Sequence, residues 1–127
     1  MNDLGTLAGE ISDWILEYAD RNSIRKLVVG VSGGVDSAVT STLSAMTGLD
    51  TIVLNMPIHQ DRNQYDLSNR HISWLEENWR NVEGRVVDLT ATFEKFNSDL
   101  KGSGISDLAR ANSRARLRMA TLYAIAG

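Results

Sequence analysis

The residues best suited to chemistry lie in one glycine-rich segment that follows a short valine-rich run. Adjacent Gly33 and Gly34 allow the backbone to turn sharply and to approach a ligand with no Cβ in the way. Their N–H groups, with those of the helix start that follows, form an anion cradle. An ordinary tight turn is the competing interpretation, but flanking serines and the strand–loop–helix context favour phosphate binding. The predicted phosphate-binding residues are Gly30, Val31, Ser32, Gly33, Gly34, Val35, Asp36 and Ser37.

An acidic side chain inside this cradle would repel a phosphate unless a cation lay between them. The segment lacks the lysine of a Walker-type loop, so another positive charge must offset a triphosphate. Mg²⁺ prefers one or two carboxylates together with phosphate oxygens, and Asp36 is therefore predicted to be a Mg²⁺ ligand. The alternative is a favourable interaction of Asp36 with the helix dipole, worth about 0.3–1 kcal/mol. That alternative does not explain a negative charge in an anion site.

The elements that must position this loop alternate along the chain. Hydrophobic periodicity predicts helices over about 3–20, 36–46, 66–79, 92–100 and from about 106, and strands over 26–32, 51–56 and 85–89. This order predicts an α/β fold with a doubly wound, Rossmann-like parallel sheet joined by right-handed crossovers. Ligands bind such sheets beyond the carboxyl ends of the strands, which is where the glycine-rich segment falls.

Composition limits the classes of function. The 127 residues fit a single domain, and 43% hydrophobic residues exclude a disordered or collagen-like chain. A net charge of −3 makes binding to nucleic acid or to a membrane surface unexpected, since both need a positive field. The absence of cysteine excludes disulfides, thiolate metal sites and a cysteine nucleophile. No apolar run is long enough to span a bilayer, so we expect a cytoplasmic protein.

A second group of candidate residues is an arginine-rich stretch near the end of the chain. Arg114 and Arg118 lie four residues apart and share one face of the predicted helix, whereas Arg116 points elsewhere. A solvated basic stripe, or a partner surface for the acidic first helix, is the interpretation that composition favours. Arg114 and Arg118 are therefore expected to be structural or interface residues, and Tyr18 of the first helix is expected to pack in the core.

Two resemblances give these patterns a more specific meaning. The Ser-Gly-Gly-Val-Asp-Ser segment after a valine-rich strand resembles the pyrophosphate loop of the ATP-pyrophosphatase superfamily, whose fold is adenine nucleotide α-hydrolase-like. The Met56-Pro57 pair after the second strand is similar to a segment of the NAD synthetases. The stretch over 112–119 resembles the Asn-x-Lys-Ala-Arg-x-Arg-Met helix of that family, with Arg114 in the place of the lysine. This resemblance implies that Arg116 contacts deamido-NAD.

The NAD synthetase resemblance implies a two-step reaction in a homodimer. ATP, with Mg²⁺, adenylates the nicotinate carboxylate of deamido-NAD and releases pyrophosphate, and ammonia then displaces AMP to give NAD. The resemblance ends after about the first half of a synthetase catalytic domain. We therefore expect an N-terminal portion that is weakly active or inactive alone, with an exposed parallel sheet edge that favours association. Another ATP-pyrophosphatase, such as a tRNA-modifying enzyme, and a non-catalytic adenine-nucleotide-binding module are the alternatives.

Overall fold

The computed structural model describes residues 4–127, in which helices and strands alternate as far as the third strand. In chain order the elements are α1 (Leu4–Arg21), β1 (Lys26–Gly30), α2 (Val35–Met46), β2 (Asp50–Asn55), α3 (Arg62–Asn78), β3 (Val82–Val86), α4 (Thr90–Asp99) and α5 (Asp107–Ala126). Residue 3, the first residue of the predicted helix, lies outside the described residues. Among the described helices, none combines the length and the apolar character needed to cross a membrane.

The three strands form one parallel sheet in the order β1-β2-β3. Val29 on β1 lies opposite Val53 on β2, which in turn lies opposite Gly84 on β3. Central strand β2 is buried from its second residue onward. Strands buried on both faces read as unbroken apolar runs, which is why β1 and β2 were identifiable from the sequence. The predicted α/β fold with a parallel sheet is confirmed.

Helices cover both faces of the sheet, and each face has its own hydrophobic cluster. On one face, Ile52 and Leu54 pack with Phe93 of α4 and, at its edge, with Leu117 and Leu122 of α5. On the other face, buried side chains of β2, α2 and α3 form the second cluster, which includes Val53, Ala45, Ile72 and Leu75. Because β2 alternates between the two clusters, it fixes both helix layers relative to the carboxyl ends of the strands.

Strand β1 ends at Gly30 instead of at residue 32, and two larger errors in the predicted boundaries each have a local cause. The third strand spans Val82–Val86 instead of 85–89, because a glycine at its centre weakens the strand signal in the sequence. Backbone pairing with β2 nevertheless continues past its end, since Val87 N–H donates to the carbonyl of Asn55. Helix α3 begins at Arg62, four residues before the predicted start at Asp66, within a segment whose polar side chains resemble a loop.

The outer edge of β3, on the side away from β2, forms hydrogen bonds with other groups of the same chain. Val82 N–H donates to the carbonyl of Trp79 over 3.4 Å. Gly84 N–H donates to Glu76 Oε2 over 2.9 Å, so a carboxylate from α3 reaches around the strand. Glycine is required here, because a Cβ at position 84 would lie 2.2 Å from Ile72 Cγ2.

A half-buried histidine connects α2 to α3, and the direction of its pKa shift predicts that stability depends on pH. His71 Nε2 lies 2.9 Å from Ser41 Oγ, and burial lowers the pKa of His71 from 6.5, outweighing a backbone hydrogen bond with Ala38 that raises it. The unfolded chain therefore binds the proton more tightly, and the contribution of His71 to stability is lost as the pH falls through the lowered pKa.

We expect His71→Gln to flatten the pH dependence of the unfolding free energy between neutral pH and pH values below the lowered pKa of His71. Urea denaturation of both proteins at several pH values measures this difference directly. Parallel stability curves for the two proteins would contradict the assignment.

Candidate functional site

The glycine-rich loop between β1 and α2 has a conformation that only glycine adopts easily. Gly33 has φ +86°, and a Cβ there would lie 3.2 Å from the carbonyl oxygen of Gln64 on α3. Ser32 and Ser37 hold the loop closed, because Ser32 N–H donates to Ser37 Oγ over 3.0 Å and the two hydroxyls lie 3.2 Å apart. The loop is thus pressed against α3 while its backbone curves around the start of α2.

The start of α2 leaves backbone donors available at this loop. The N-cap residue Gly34 is extended and supplies no side-chain acceptor to the first turn. First-turn N–H groups of a helix have no intrahelical acceptor, so those of α2 can bind an anion. Asp36 is the acidic residue of that turn, and its side chain is exposed.

A cavity of about 710 Å³ opens at the carboxyl ends of β1 and β2. The glycine-rich loop forms one wall, the segment after β2 forms a second, and α5 forms the third. Its lining residues are Gly30, Val31, Ser32, Gly34, Ser37, Met56, Ile58, His59, Gln60, Asp61, Gln64, Arg114, Arg118 and Leu122. A larger depression of about 860 Å³ runs along the outer side of α3, but residues of that helix alone line it. The first cavity, where several elements converge, is therefore the candidate site.

Two guanidinium groups from α5 face the glycine-rich loop across this cavity. Arg118 Nε donates to the carbonyl of Met56 over 2.9 Å, which fixes the side chain at the end of β2. Burial, and secondarily the positive charge of Arg114, lower the pKa of Arg118. Within residues 4–127, neither arginine has a carboxylate at ion-pair distance. Two uncompensated positive charges opposite an anion cradle favour an anionic ligand.

Comparison with known proteins identifies the family. The family model described as NAD synthase matches residues 7–127. The chain belongs to the NAD synthase family. It is 31% identical over 124 residues to the NH(3)-dependent NAD(+) synthetase of Methanosarcina mazei, covering 95% of this chain and 47% of that protein. It is 30% identical over 132 residues to the enzyme of the same name from Mycoplasma genitalium, covering 99% of this chain and 50% of that protein.

Solved structures share the fold of this chain. The NMN synthetase of Francisella tularensis superposes with a TM-score of 0.86 and 28% identity, covering 99% of this chain and 51% of that one. The NAD+ synthetase of Burkholderia pseudomallei superposes with a TM-score of 0.81 and 20% identity, covering 100% and 59%. This NAD synthase chain spans about half the length of the curated relatives it matches.

The structure brings together part of the predicted site. Gly30, Val31, Ser32, Gly34 and Ser37 line the cavity, whereas Gly33 contacts α3 behind the loop. The side chains of Val35 and Asp36 are exposed and lie outside the cavity lining. Arg116 is likewise exposed on α5 and is not part of the lining. The phosphate, Mg²⁺ and deamido-NAD roles of these residues remain predictions.

The arginines that do reach the cavity are those predicted to be structural. Arg114 and Arg118 are half-buried and line it, because α5 crosses the carboxyl end of β1 with this face inward. Tyr18, predicted to pack in the core, is instead 47% exposed and stacks on Trp14. The available sequence signal was the spacing of four between Arg114 and Arg118, which sets both on one helix face.

The segment after β2 also contributes residues that the sequence analysis missed. Gln60 Nε2 lies 3.5 Å from the carbonyl of Ser32, while Gln60 Oε1 is buried and has no hydrogen-bond partner in the structure. The neighbouring His59 is tied to α4, with Nε2 lying 2.9 Å from Glu94 Oε1 and N–H donating to Thr90 Oγ1. These contacts place an amide next to the glycine-rich loop, where it can bind a ligand.

The carboxylates near the loop have the chemistry that Mg²⁺ requires. Asp36 follows the loop, and Asp61 lines the cavity. Within the described part of the chain neither has a basic side chain at ion-pair distance, so both are free to bind a cation. Residues 4–127 contain no cluster of three or more histidine or acidic side chains arranged around a metal position. Carboxylate oxygens are ligands of the kind that Mg²⁺ binds together with phosphate oxygens and water.

Proposed function

We propose that this protein acts in the synthesis of NAD, by ATP-dependent adenylation of deamido-NAD followed by amidation with ammonia. The observation that carries the proposal is the cavity in which the glycine-rich loop faces Arg118 at the carboxyl ends of β1 and β2. Family membership and relatives named NH(3)-dependent NAD(+) synthetases support the same reaction. The chain spans about half of those relatives, so the activity of the whole protein is part of the proposal.

The residues of the cavity would act mainly on the phosphate groups of ATP. Backbone N–H groups of the loop and of the first turn of α2 would bind the pyrophosphate as it leaves the α-phosphorus. Their dipoles are already oriented, so they stabilise the charge that develops there without reorganisation. The attacking nicotinate carboxylate is ionised at neutral pH, and the first step therefore needs no general base. Mg²⁺, when bound, would neutralise phosphate charge, with Asp36 and Asp61 as its protein ligands.

The dinucleotide contact has two candidate residues on α5. Arg116 is the candidate that the family resemblance implies, and its exposed position requires the ligand to reach the outer side of the helix. Arg118 is the candidate that faces the cavity. A planar guanidinium suits a carboxylate or a diphosphate through two parallel hydrogen bonds, so either residue has the required chemistry. The deamido-NAD affinities of Arg116→Ala and Arg118→Ala, measured side by side, show which residue makes the contact.

A homodimer is the proposed assembly, and an exposed stripe on α1 supports it. Leu7, Ile11, Trp14 and Tyr18 are spaced by four, three and four residues, and each is at least 39% exposed. Such a spacing places the side chains along one face of the helix. Exposed large apolar side chains in one continuous stripe are typical of a protein–protein interface. Sedimentation velocity should therefore report twice the 14.0 kDa mass of one chain, and a concentration-independent monomer would contradict the dimer.

The proposed function is tested by calorimetric titration with Mg·ATP and with deamido-NAD, while pyrophosphate release is followed in parallel. Asp36→Ala should weaken the binding of Mg·ATP about tenfold or more, since it removes a metal ligand next to the phosphates. Asp20→Ala removes an equal charge at the far end of α1 and should bind ATP as the unaltered chain does. The mononucleotide counterpart of deamido-NAD is compared as a second substrate, because one solved relative is an NMN synthetase.

The outcomes distinguish the proposed functions. Pyrophosphate release that depends on deamido-NAD supports the synthetase. Release without deamido-NAD indicates another ATP-pyrophosphatase. Binding without release indicates either a portion of a synthetase that is inactive alone or a nucleotide-binding module. If neither ligand binds, the cavity does not serve nucleotide chemistry and the proposal is wrong.

A further inference from the structure

Arg114 differs from the other charged groups of the cavity in how it is held. Its guanidinium carbon lies 5.6 Å from the centroid of the Phe93 ring, within the range of a cation–π interaction. Phe93 is 3% exposed, belongs to a hydrophobic cluster and stacks on Phe96 with 6.3 Å between the ring centroids. Arg114 therefore rests on a ring that is itself fixed by the core.

This arrangement orients Arg114 without using its hydrogen-bond donors. An acidic partner would compete for those donors. Arg110, one turn earlier, has such a partner in Asp107, whose Oδ1 lies 3.7 Å from Arg110 Nη1. An aromatic ring offers no conventional hydrogen-bond acceptor, so this contact occupies none of the five N–H donors of the guanidinium. Among residues 4–127 no carboxylate pairs with Arg114, although it is half-buried beside the positive charge of Arg118. Two neighbouring positive charges, neither of which has a carboxylate at ion-pair distance in the described residues, favour an anion in the cavity.

We propose that Arg114, held over the ring of Phe93, is a binding residue for the diphosphate group of the nucleotide ligand. It faces the glycine-rich loop across the cavity, so one diphosphate can bind the loop N–H groups on one side and the guanidinium on the other. The planar fork forms two parallel hydrogen bonds with adjacent phosphate oxygens, which an ammonium group cannot do. This inference rests on the proposed function and adds a named residue and ligand group to it.

The same diphosphate chemistry occurs in two ligands, ATP and deamido-NAD, and the test separates them. Inorganic pyrophosphate, Mg·ATP and deamido-NAD are each titrated into the unaltered chain, Arg114→Ala, Arg114→Lys and Phe93→Leu. Arg114→Ala should weaken pyrophosphate binding about tenfold or more, and Arg114→Lys should restore only part of it. Phe93→Leu should weaken binding by about threefold, because the guanidinium loses its orientation while the core keeps an apolar side chain. Arg110→Ala removes the same charge from α5 outside the cavity and should leave all three affinities unchanged.

An NMR measurement distinguishes binding from a merely structural role. In the free protein the ring current of Phe93 should shift the Arg114 Nε–H resonance upfield, and Phe93→Leu should abolish that shift. The resonance is assigned by its absence in Arg114→Lys, and adding pyrophosphate should move it in the unaltered chain. Thermal melting of each variant shows that the fold is retained.

The results separate this inference from the proposed function. If Arg114→Ala binds ATP and pyrophosphate more weakly but deamido-NAD normally, Arg114 is assigned to the diphosphate of ATP. If it binds only deamido-NAD more weakly, Arg114 is assigned to the dinucleotide. If Arg114→Ala binds all three as tightly as the unaltered chain, the inference is wrong and the proposed function stands. If the unaltered chain binds none of them, both are wrong.

Discussion

Gly33→Ala is expected to reduce pyrophosphate binding by at least about tenfold and to destabilise the protein, since a distorted loop no longer aims its N–H groups at the phosphates. Alanine at φ +86° costs about 1–2 kcal/mol through backbone sterics alone. Its Cβ would also lie 3.2 Å from the carbonyl of Gln64, so the loop must move away from α3. Isothermal titration with inorganic pyrophosphate, together with urea denaturation, measures both effects.

Gly48→Ala is the matched control for this change. Gly48 follows the end of α2 with φ +81°, and nothing lies within 4 Å of a Cβ built there. It should therefore show the backbone cost of about 1–2 kcal/mol with unchanged pyrophosphate affinity. Equal affinities for Gly33→Ala and Gly48→Ala would show that the loop does not bind phosphate.

Gly84→Ala is expected to cause the largest loss of stability, in the upper part of the range of about 1–3 kcal/mol seen for overpacked cores. The added Cβ would lie 2.2 Å from Ile72 Cγ2, and Ile72 is 6% exposed in the cluster between α3 and the sheet. Its branched side chain has few alternative rotamers in a helix, so α3 must shift. Thermal unfolding should show a fall in Tm of roughly 4 °C for each kcal/mol.

A double-mutant cycle tests the cause of this effect. Ile72→Ala removes the clashing methyl group, so Gly84→Ala should cost less in that background than in the unaltered chain. Gly9→Ala provides the contrasting control, because Gly9 lies within α1 with nothing within 4 Å of a built Cβ. It should stabilise the protein by about 0.5–1 kcal/mol. Additive costs of Gly84→Ala and Ile72→Ala would show that the destabilisation arises elsewhere.

The glycine-rich loop and the order of elements could be predicted because each has a local signal. Buried strands β1 and β2 are continuous apolar runs, and Gly33 and Gly34 interrupt the chain between a strand and a helix. The position of β3 could not be predicted in the same way. Gly84 is required in that strand because Ile72 of α3 packs against it. This requirement comes from a tertiary contact, which the local sequence does not show.

The arginines show a second limit of sequence reasoning. Helical spacing correctly places Arg114 and Arg118 on one face, but it does not say whether that face meets solvent or a cavity. The direction is set by packing of Leu117 and Leu122 against the sheet, a tertiary contact. Periodicity thus identified Arg114 and Arg118 as a pair. The family pattern instead implied a ligand contact for Arg116, whose side chain is exposed.

The hydrogen bonds at the outer side of β3 determine where the sheet can grow. In a parallel ladder, alternate residues direct their N–H groups away from the neighbouring strand, and on β3 these are Val82, Gly84 and Val86. Trp79 and Glu76 already accept from the first two, so an incoming strand would have to displace a backbone carbonyl and a charged carboxylate. Addition of a strand at this side is therefore disfavoured, because both acceptors would have to be replaced before a new ladder could form.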